Sequence, residues 1–489
     1  MEHLYDRLKK YGESEIYPYH MPGHKRREAG WMPGEFIRTD ITEVDGFDNL
    51  HDAHGILEEL QKEAARIYGA DESFYLVGGS TCGILSAVSA SVPEGGHILI
   101  VRNCHKSVYH AAYLKNLTIS YLYPDVIEEY DICEAVSPEK VRSALEKEPD
   151  IGAVLVVSPT YEGRIADIGA IARVVHEKGI PLIVDEAHGA HLGFHEAFAQ
   201  NSCRLGADLV IHSVHKTLPA LTQTALLHVN GKLVNRRMLR RFLHIYQSSS
   251  PSYVLMASID NALRLMQVQG KERMEGFVRR WNHMMLQLEA CSSLMFLSRQ
   301  PGRQDIGKLV ISVRKIDLSG QQLYDMLLQE YHLQLEMAAG SYALAMFTMA
   351  DTEEGYERMA DALLEIDSRY GERHAVRSAG VSGRNVPAED IPLDRGIQPL
   401  LPLKAAVPFA HAWDVPSEAC PVSQCAGRLA GEFINLYPPG TPMAVPGEVI
   451  TEEWVRQLQG YLELGLPVQG IQETGEGQLI QVLSGNNLS

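Results

Sequence analysis

The chain has 489 residues, 45% of them hydrophobic and 22% charged. That is enough material for roughly two to four domains and is ordinary for a water-soluble globular protein. A formal charge of −18 excludes a nucleic-acid backbone as principal partner, since polyanions are held by basic surfaces; the negative field suits a cationic small molecule or serves solubility.

In chain order, Phe74–Val77 reads as a strand, followed by the turn Gly78-Gly79-Ser80-Thr81 and a small-residue helix from Cys82 towards Ser91. Ile98–Val101, Ile119–Tyr123, Ala153–Val157, Leu182–Val184, Leu209–Ser213 and Ala225–Val229 are further strand-like runs. Pro138–Lys147 and Ile168–Lys178 have helical spacing, the second stopping at Gly179-Ile-Pro181. This alternation predicts an α/β layer structure with a largely parallel sheet covered on both faces. From about Asn261 the texture becomes helix-rich, with another strand at Leu309–Val313. Gly371–Leu403 is dense in Gly, Pro and charge and reads as a connector or an irregular edge. The stretch from Tyr437 to Glu448 is too proline-rich for a helix or a central strand.

Seven cysteines, an odd number on a long chain, point to reduced thiols. No signal-peptide-length apolar stretch opens the chain, and no apolar run is long enough to cross a bilayer. A cytoplasmic location without membrane or nucleic-acid partners is expected.

The chemistry centres on two residues. Lys216 lies in Ile211-His-Ser-Val-His-Lys-Thr217, directly after a buried-type strand, and Asp185 closes the apolar run that begins at Pro181. An amine that condenses with an aldehyde and a carboxylate that holds a pyridinium proton are what pyridoxal phosphate needs from a protein. An Asp at this strand end could equally cap the next element, and most lysines are solvated. The Gly78–Thr81 turn, between strand and helix, could bind an anion through backbone amides, although such turns are common. The quartet Asp185-Glu-Ala-His188 also occurs in nucleotide triphosphatases. A phosphate loop should then accompany it, and Gly302-Arg-Gln-Asp-Ile-Gly-Lys308-Leu309 lacks the final hydroxyl and precedes a strand. His188 with His191, His51 with His54, and Cys420 with Cys425 do not complete a set of four metal ligands, so no metal is expected.

Taken together, the motifs resemble the Orn/Lys/Arg decarboxylase family in its short form, pyridoxal-phosphate enzymes of the aspartate-aminotransferase fold (fold type I). The resemblance rests on His20-Met-Pro-Gly-His-Lys25, Thr39–Gly46, Gly78-Gly-Ser-Thr81, Arg102-Asn-Cys-His-Lys-Ser107, Val184–His191, Ser213-Val-His-Lys216, Tyr437-Pro-Pro-Gly440 and Pro446-Gly-Glu448. It implies an α/β fold with a mostly parallel seven-stranded sheet flanked by helices, and smaller α+β C-terminal domains. The division it implies is an N-terminal arm over 1–38, a large cofactor domain over 39–270, a small α/β domain over 271–370 and a C-terminal domain over 371–489.

Carried over by motif, the resemblance implies that Lys216 binds the cofactor covalently, Asp185 pairs with its ring nitrogen and His105 stacks on the ring. Gly79, Ser80, Thr81, Cys82, Ser213 and His215 would hold the phosphate region, with Ala187 also beside the cofactor. His188 would lie near the phenolic oxygen, where larger relatives commonly carry Trp. Ser248 and Ser249 match a hydroxyl-rich stretch that reaches the neighbouring subunit's phosphate, so a homodimer with shared active sites is implied. The expected reaction is loss of carbon dioxide from a basic L-amino acid: arginine first, lysine second, ornithine third. Glu448 is the candidate partner for the far end of the substrate, although a solvated loop Glu fits the same sequence. The rival readings are an aminotransferase or acyl-CoA-condensing enzyme of the same fold, a decarboxylase of a non-basic amino acid, and a silent cofactor-binding regulator.

Overall fold

A computed structural model describes residues 2–14, 34–297, 300–379, 400–436, 441–463, 465–475 and 477–485. The motifs His20–Lys25 and Tyr437–Gly440 lie outside the described residues. The chain forms two compact units, Met1–Leu99 with Ser137–Pro159 and Ala166–Glu275, and Ile100–Val136 with Thr160–Ile165 and Gly276–Ser489.

A seven-stranded sheet runs in the order Glu72–Leu76, Ala225–Val229, Leu209–Ser213, Leu182–Asp185, Ala153–Val157, His97–Val101, Thr118–Leu122. Its centre is parallel, with Val154 opposite Leu182 and Ile183 opposite Leu209. At one side Ala225–Val229 and then Glu72–Leu76 join antiparallel. The central strands are almost wholly aliphatic and buried along their whole length, the pattern of strands covered on both faces.

The flanking helices form where the sequence supplies caps. Ser137 accepts from the backbone of Lys140 and Pro138 fills the first turn of Pro138–Lys147. Asp167 caps Ile168–His176 by accepting from Ala170. The helix Gly79–Ser91 presses hard on the sheet: a Cβ at Gly83 would come 2.7 Å from a methyl of Leu76. Only glycine permits that approach.

The second unit contains an antiparallel sheet of Met295–Phe296, Lys308–Ser312, Tyr342–Met346 and Met337–Ala338. Helix Gly320–Tyr331 packs with it and starts in a capping box between Ser319 and Gln322. Towards the C-terminus, strands Ser417–Pro421, Ile471–Thr474 and Gly477–Leu483 form one small sheet, and Ile434–Leu436, Thr441–Ala444 and Val468–Gln469 another. The amphipathic helix Glu452–Glu463 buries Trp454, Val455, Leu458 and Tyr461 in a core shared with Ile434, Ile480 and Val482.

Two expectations from sequence need correction. The helix-rich region begins earlier than Asn261, because Tyr253–Leu288 is one helix of 36 residues. The connector expected from Gly371 is helical at its start, since Glu353–Ala379 runs through that glycine. One glycine costs a helix only about 1 kcal/mol against alanine, too little to end a helix of 27 residues.

Candidate active site

Strands Leu182–Asp185 and Leu209–Ser213 run parallel with Asp185 opposite Ile211, so both deliver their carboxyl ends to the same edge of the sheet. Ligands collect at such edges in open α/β sheets. Asp185 is 6% exposed, and its Oδ1 accepts from the backbone N–H of Ala187 at 3.2 Å. Burial pushes its carboxyl above the usual range, against the opposing pull of the Lys216 charge. The one-turn helix Val214–Thr217 follows the second strand and carries Lys216. There Lys216 Nζ lies 3.0 Å from His188 Nε2.

A hydroxyl pair is formed by Ser80 with Ser213, whose oxygens are 2.5 Å apart. Ser80 opens helix Gly79–Ser91, whose N-cap Gly78 supplies no side-chain cap, and Gly79 has φ +71, a left-handed conformation that suits glycine. Helix N–H groups without a side-chain cap suit an anion. His215 Nδ1 donates to the carbonyl of Thr224 at 2.8 Å, and burial lowers the ring's pKa. A neutral ring therefore turns a bare Nε2 outward, so a hydrogen bond from Nε2 to a phosphate requires the ring to take up a proton. Thr81 is exposed. Cys82 is buried; its thiol donates to Gly79 at 3.1 Å and is pushed up to about 12 by burial, so it is a core residue rather than a nucleophile.

Ser248 and Ser249 are exposed beyond helix Arg236–Tyr246, with the Ser248 carbonyl 2.7 Å from His51 Nε2. His105 belongs to the second unit, where it is exposed and caps helix Lys106–Leu114 by accepting from the Ser107 backbone.

Glu448 corrects the sequence reading. It is 1% exposed, and its Oε2 accepts from Arg102 at 3.0 Å and from the Val445 backbone at 2.8 Å. Arg102 is itself sealed, donates to Tyr109 at 2.7 Å and lies 4.9 Å over the Tyr121 ring. A carboxylate engaged in this way is half of an internal ion pair, not an open receptor for a substrate. Its partner lies 346 positions away, so nothing local marked it.

The sequence also concealed a buried polar chain behind Asp185. Glu186 accepts from the backbone and hydroxyl of Ser202, and lies 2.8 Å from His212 Nε2. His212 Nδ1 is 3.1 Å from His228 Nε2, and His228 Nδ1 is 2.6 Å from the Ser73 hydroxyl. The available signal was two histidines in strands that are otherwise aliphatic. Among the described residues no group of three or more His, Cys, Asp or Glu is placed to hold a metal.

The donor set fits pyridoxal phosphate part by part: an amine for its aldehyde, a buried carboxylate for its ring nitrogen, and paired hydroxyls at a helix start for its phosphate. The fold and this set define a pyridoxal-phosphate enzyme of fold type I. The solved lysine decarboxylase LdcF of Francisella novicida has the same fold, with TM-score 0.81 at 19% identity over 98% of this chain and 81% of its own. Residues 2–307 match the Orn/Lys/Arg decarboxylase major domain, and residues 399–470 match the C-terminal domain of that family. An arginine decarboxylase of Bacillus subtilis (strain 168) is 30% identical over 96% of each chain. A lysine decarboxylase of Pseudomonas aeruginosa is 23% identical over 91% of this chain and 73% of its own. The chain belongs to the Orn/Lys/Arg decarboxylase family: it is a pyridoxal-phosphate-dependent amino-acid decarboxylase acting on a basic amino acid.

Proposed function

We propose that the substrate is L-arginine, converted to agmatine and carbon dioxide, with lysine second and ornithine third. The full-length likeness to arginine decarboxylases supports this order, the lysine decarboxylases being more distant. The observation that carries the catalytic assignment is the Lys216–His188 pair at 3.0 Å beside buried Asp185.

The bound cofactor supplies an electron sink for the charge left at Cα when carbon dioxide departs. The chain's own groups do the rest. Lys216 would provide the amine that holds the cofactor, and would be the group nearest the substrate's own amine. Asp185 keeps the ring nitrogen protonated, because a close carboxylate favours the cation. His188 exchanges hydrogen bonds with Lys216: Nε2 accepts from the ammonium form, or its N–H donates to the neutral amine. Ser80, Ser213 and the start of helix Gly79–Ser91 hold the phosphate, joined by His215 when protonated.

A homodimer with shared active sites is part of this reading, supported by the exposure of Ser248 and Ser249, and a cytoplasmic location by seven cysteines of which none is in a disulfide. Light scattering of the purified protein at two concentrations checks the dimer. No described helix is long and apolar enough to cross a membrane.

The deciding experiment incubates the protein and pyridoxal phosphate with arginine, lysine and ornithine separately and identifies the amine released. Agmatine as the fastest product is expected. Faster release of cadaverine or putrescine refutes the order, and negligible turnover of all three refutes the substrate assignment.

A further inference from the structure

The chain from Ser73 to Glu186 lies wholly within the first unit, and the reaction as described makes no use of it. Its members are sealed: Glu186 is 1% exposed, and His212 and His228 are 0%. Tyr68 covers both imidazoles, with ring centroids 4.6 and 4.7 Å away. Glu186 also faces His191 and Cys203 as titratable neighbours.

We propose that Glu186 and His212 are positioning residues for the decarboxylation, clamping the turn that carries His188 to the strand that leads into Lys216, through a hydrogen-bond chain whose direction reverses as one proton enters or leaves. The proposal rests on the decarboxylase reading for its catalytic half only.

The clamp follows from connectivity. Glu186 starts the turn, its carbonyl accepting from Gly189 at 2.8 Å and its N–H donating to Ile211 at 3.0 Å. Its side chain reaches His212, four residues before Lys216 in sequence, and Ser202 on the other side. Both ends of the His188–Lys216 contact are thereby tied to one carboxyl group.

The reversal follows from the donor inventory. A neutral imidazole has one N–H and one bare nitrogen. If Glu186 is ionised, it accepts from His212 Nε2–H; His212 Nδ1 must then accept from His228 Nε2–H, and His228 Nδ1 from the Ser73 hydroxyl. If Glu186 is protonated and donates to His212 Nε2, every bond turns round and Ser73 becomes the acceptor. Both arrangements satisfy the two rings, so the charge on Glu186 changes without orphaning either. Burial holds Glu186 up at about 8 and His212 down at about 3, so at neutral pH both are uncharged and the second arrangement prevails.

The test needs no substrate for its first arm. Histidine-labelled protein, without cofactor, is titrated between about pH 6 and 9.5, and ring 15N shifts report the tautomers of His212 and His228. They should exchange tautomer together, with one midpoint. Ser73→Ala strands the distal N–H in the neutral-Glu arrangement and leaves a bare Nδ1 in the ionised one; the orphaned donor costs more, so the midpoint should fall, by about half a pH unit. Glu186→Gln should remove the transition and lock the neutral-Glu direction. Separate midpoints, fixed tautomers, or a midpoint unmoved by Ser73→Ala overturns the chain.

The second arm compares steady-state rates. Glu186→Leu should lower kcat about tenfold with KM held within about twofold, a loss of alignment rather than of binding. Glu186→Gln should recover most of the loss. Unchanged kcat in Glu186→Leu, or no recovery in Glu186→Gln, overturns the positioning role. If the unaltered protein turns over no basic amino acid, the substrate reading fails while the tautomer arm still decides the chain.

Discussion

Replacing Glu448 by Gln removes one charge from the Arg102–Glu448 pair and keeps the shape of the side chain. Both groups are sealed, at 0% and 2% side-chain exposure, and 3.0 Å apart. The amide oxygen can still accept from Arg102 and from the Val445 backbone, so the loss is mainly electrostatic. The guanidinium keeps the Tyr109 hydroxyl, the Met443 carbonyl, the face of Tyr121 and the Tyr123 side chain. Breaking a buried pair by removing one partner costs about 3–5 kcal/mol, and the retained hydrogen bonds favour the lower end, about 3 kcal/mol. For a unit of roughly 250 residues that is a fall of about 6 °C in Tm. Scanning calorimetry measures it, alongside KM for arginine well below the transition. The double replacement Arg102→Met with Glu448→Met should recover most of the stability. Arg102 Nε and Glu448 Oε1 have no partner among the described residues, so the pair is imperfectly satisfied and desolvation offsets much of its attraction. Should Glu448→Gln melt within about 1 °C of the unaltered protein while KM rises tenfold or more, Glu448 meets the substrate and this reasoning is wrong.

Lys216→Ala should lower kcat/KM by at least about 10³-fold, and borohydride reduction should then leave no cofactor mass on the peptide spanning 211–217, as peptide mass spectrometry would read. Asp185→Asn should cut kcat by about 10²-fold or more, yet leave the cofactor-free protein at least as stable near pH 7, because burial already penalises that carboxylate in the fold; a lower melting temperature for the cofactor-free variant contradicts this. The Glu186–His212 pair sets two opposite pH slopes. Glu186 has its pKa raised from 4.5 to about 8, so its contribution is full below pH 4.5 and is lost as pH rises towards 8. His212 has its pKa lowered from 6.5 to about 3, so its contribution is full above pH 6.5 and is lost as pH falls towards 3. Urea midpoints of the cofactor-free protein measured across both windows should fall on either side, and Glu186→Gln should flatten only the alkaline slope.

All seven strands of the main sheet were legible because each is a short run of aliphatic or aromatic residues bounded by turn residues, and helix Pro138–Lys147 was legible because Ser137 and Pro138 mark its start. Asp185 and Lys216 drew notice from the same pattern, Asp185 closing one apolar strand and Lys216 following another. What escaped was long-range. A Pro-Gly-Glu turn looks solvated until Arg102, far away in sequence, closes over it. His212 and His228 escaped for another reason: strand periodicity shows that a position faces inward, but not that three inward polar residues from separate strands meet. Helix extents were misjudged where one glycine, as at Gly371, outweighed the turns on either side of it.

The three buried carboxyl groups illustrate how one fold assigns different charges to the same chemistry. Each is pushed up by burial, and the counter-groups differ. Glu448 faces a guanidinium that stays protonated at any working pH, and that attraction opposes the upward push of burial. Glu186 faces hydroxyl, amide, imidazole and thiol groups, none of them a fixed cation, and its proton stays until the solution is alkaline. Asp185 lies between these cases, because its cationic neighbour is Lys216, which in the proposed reaction would give up its charge. Its ionisation is therefore tied to whatever cation occupies the pocket. A carboxylate whose ionisation depends on a neighbouring cation is suited to the part proposed for Asp185, holding a proton on a ring nitrogen, whereas a carboxylate already paired with Arg102, as Glu448 is, would not be free to take it.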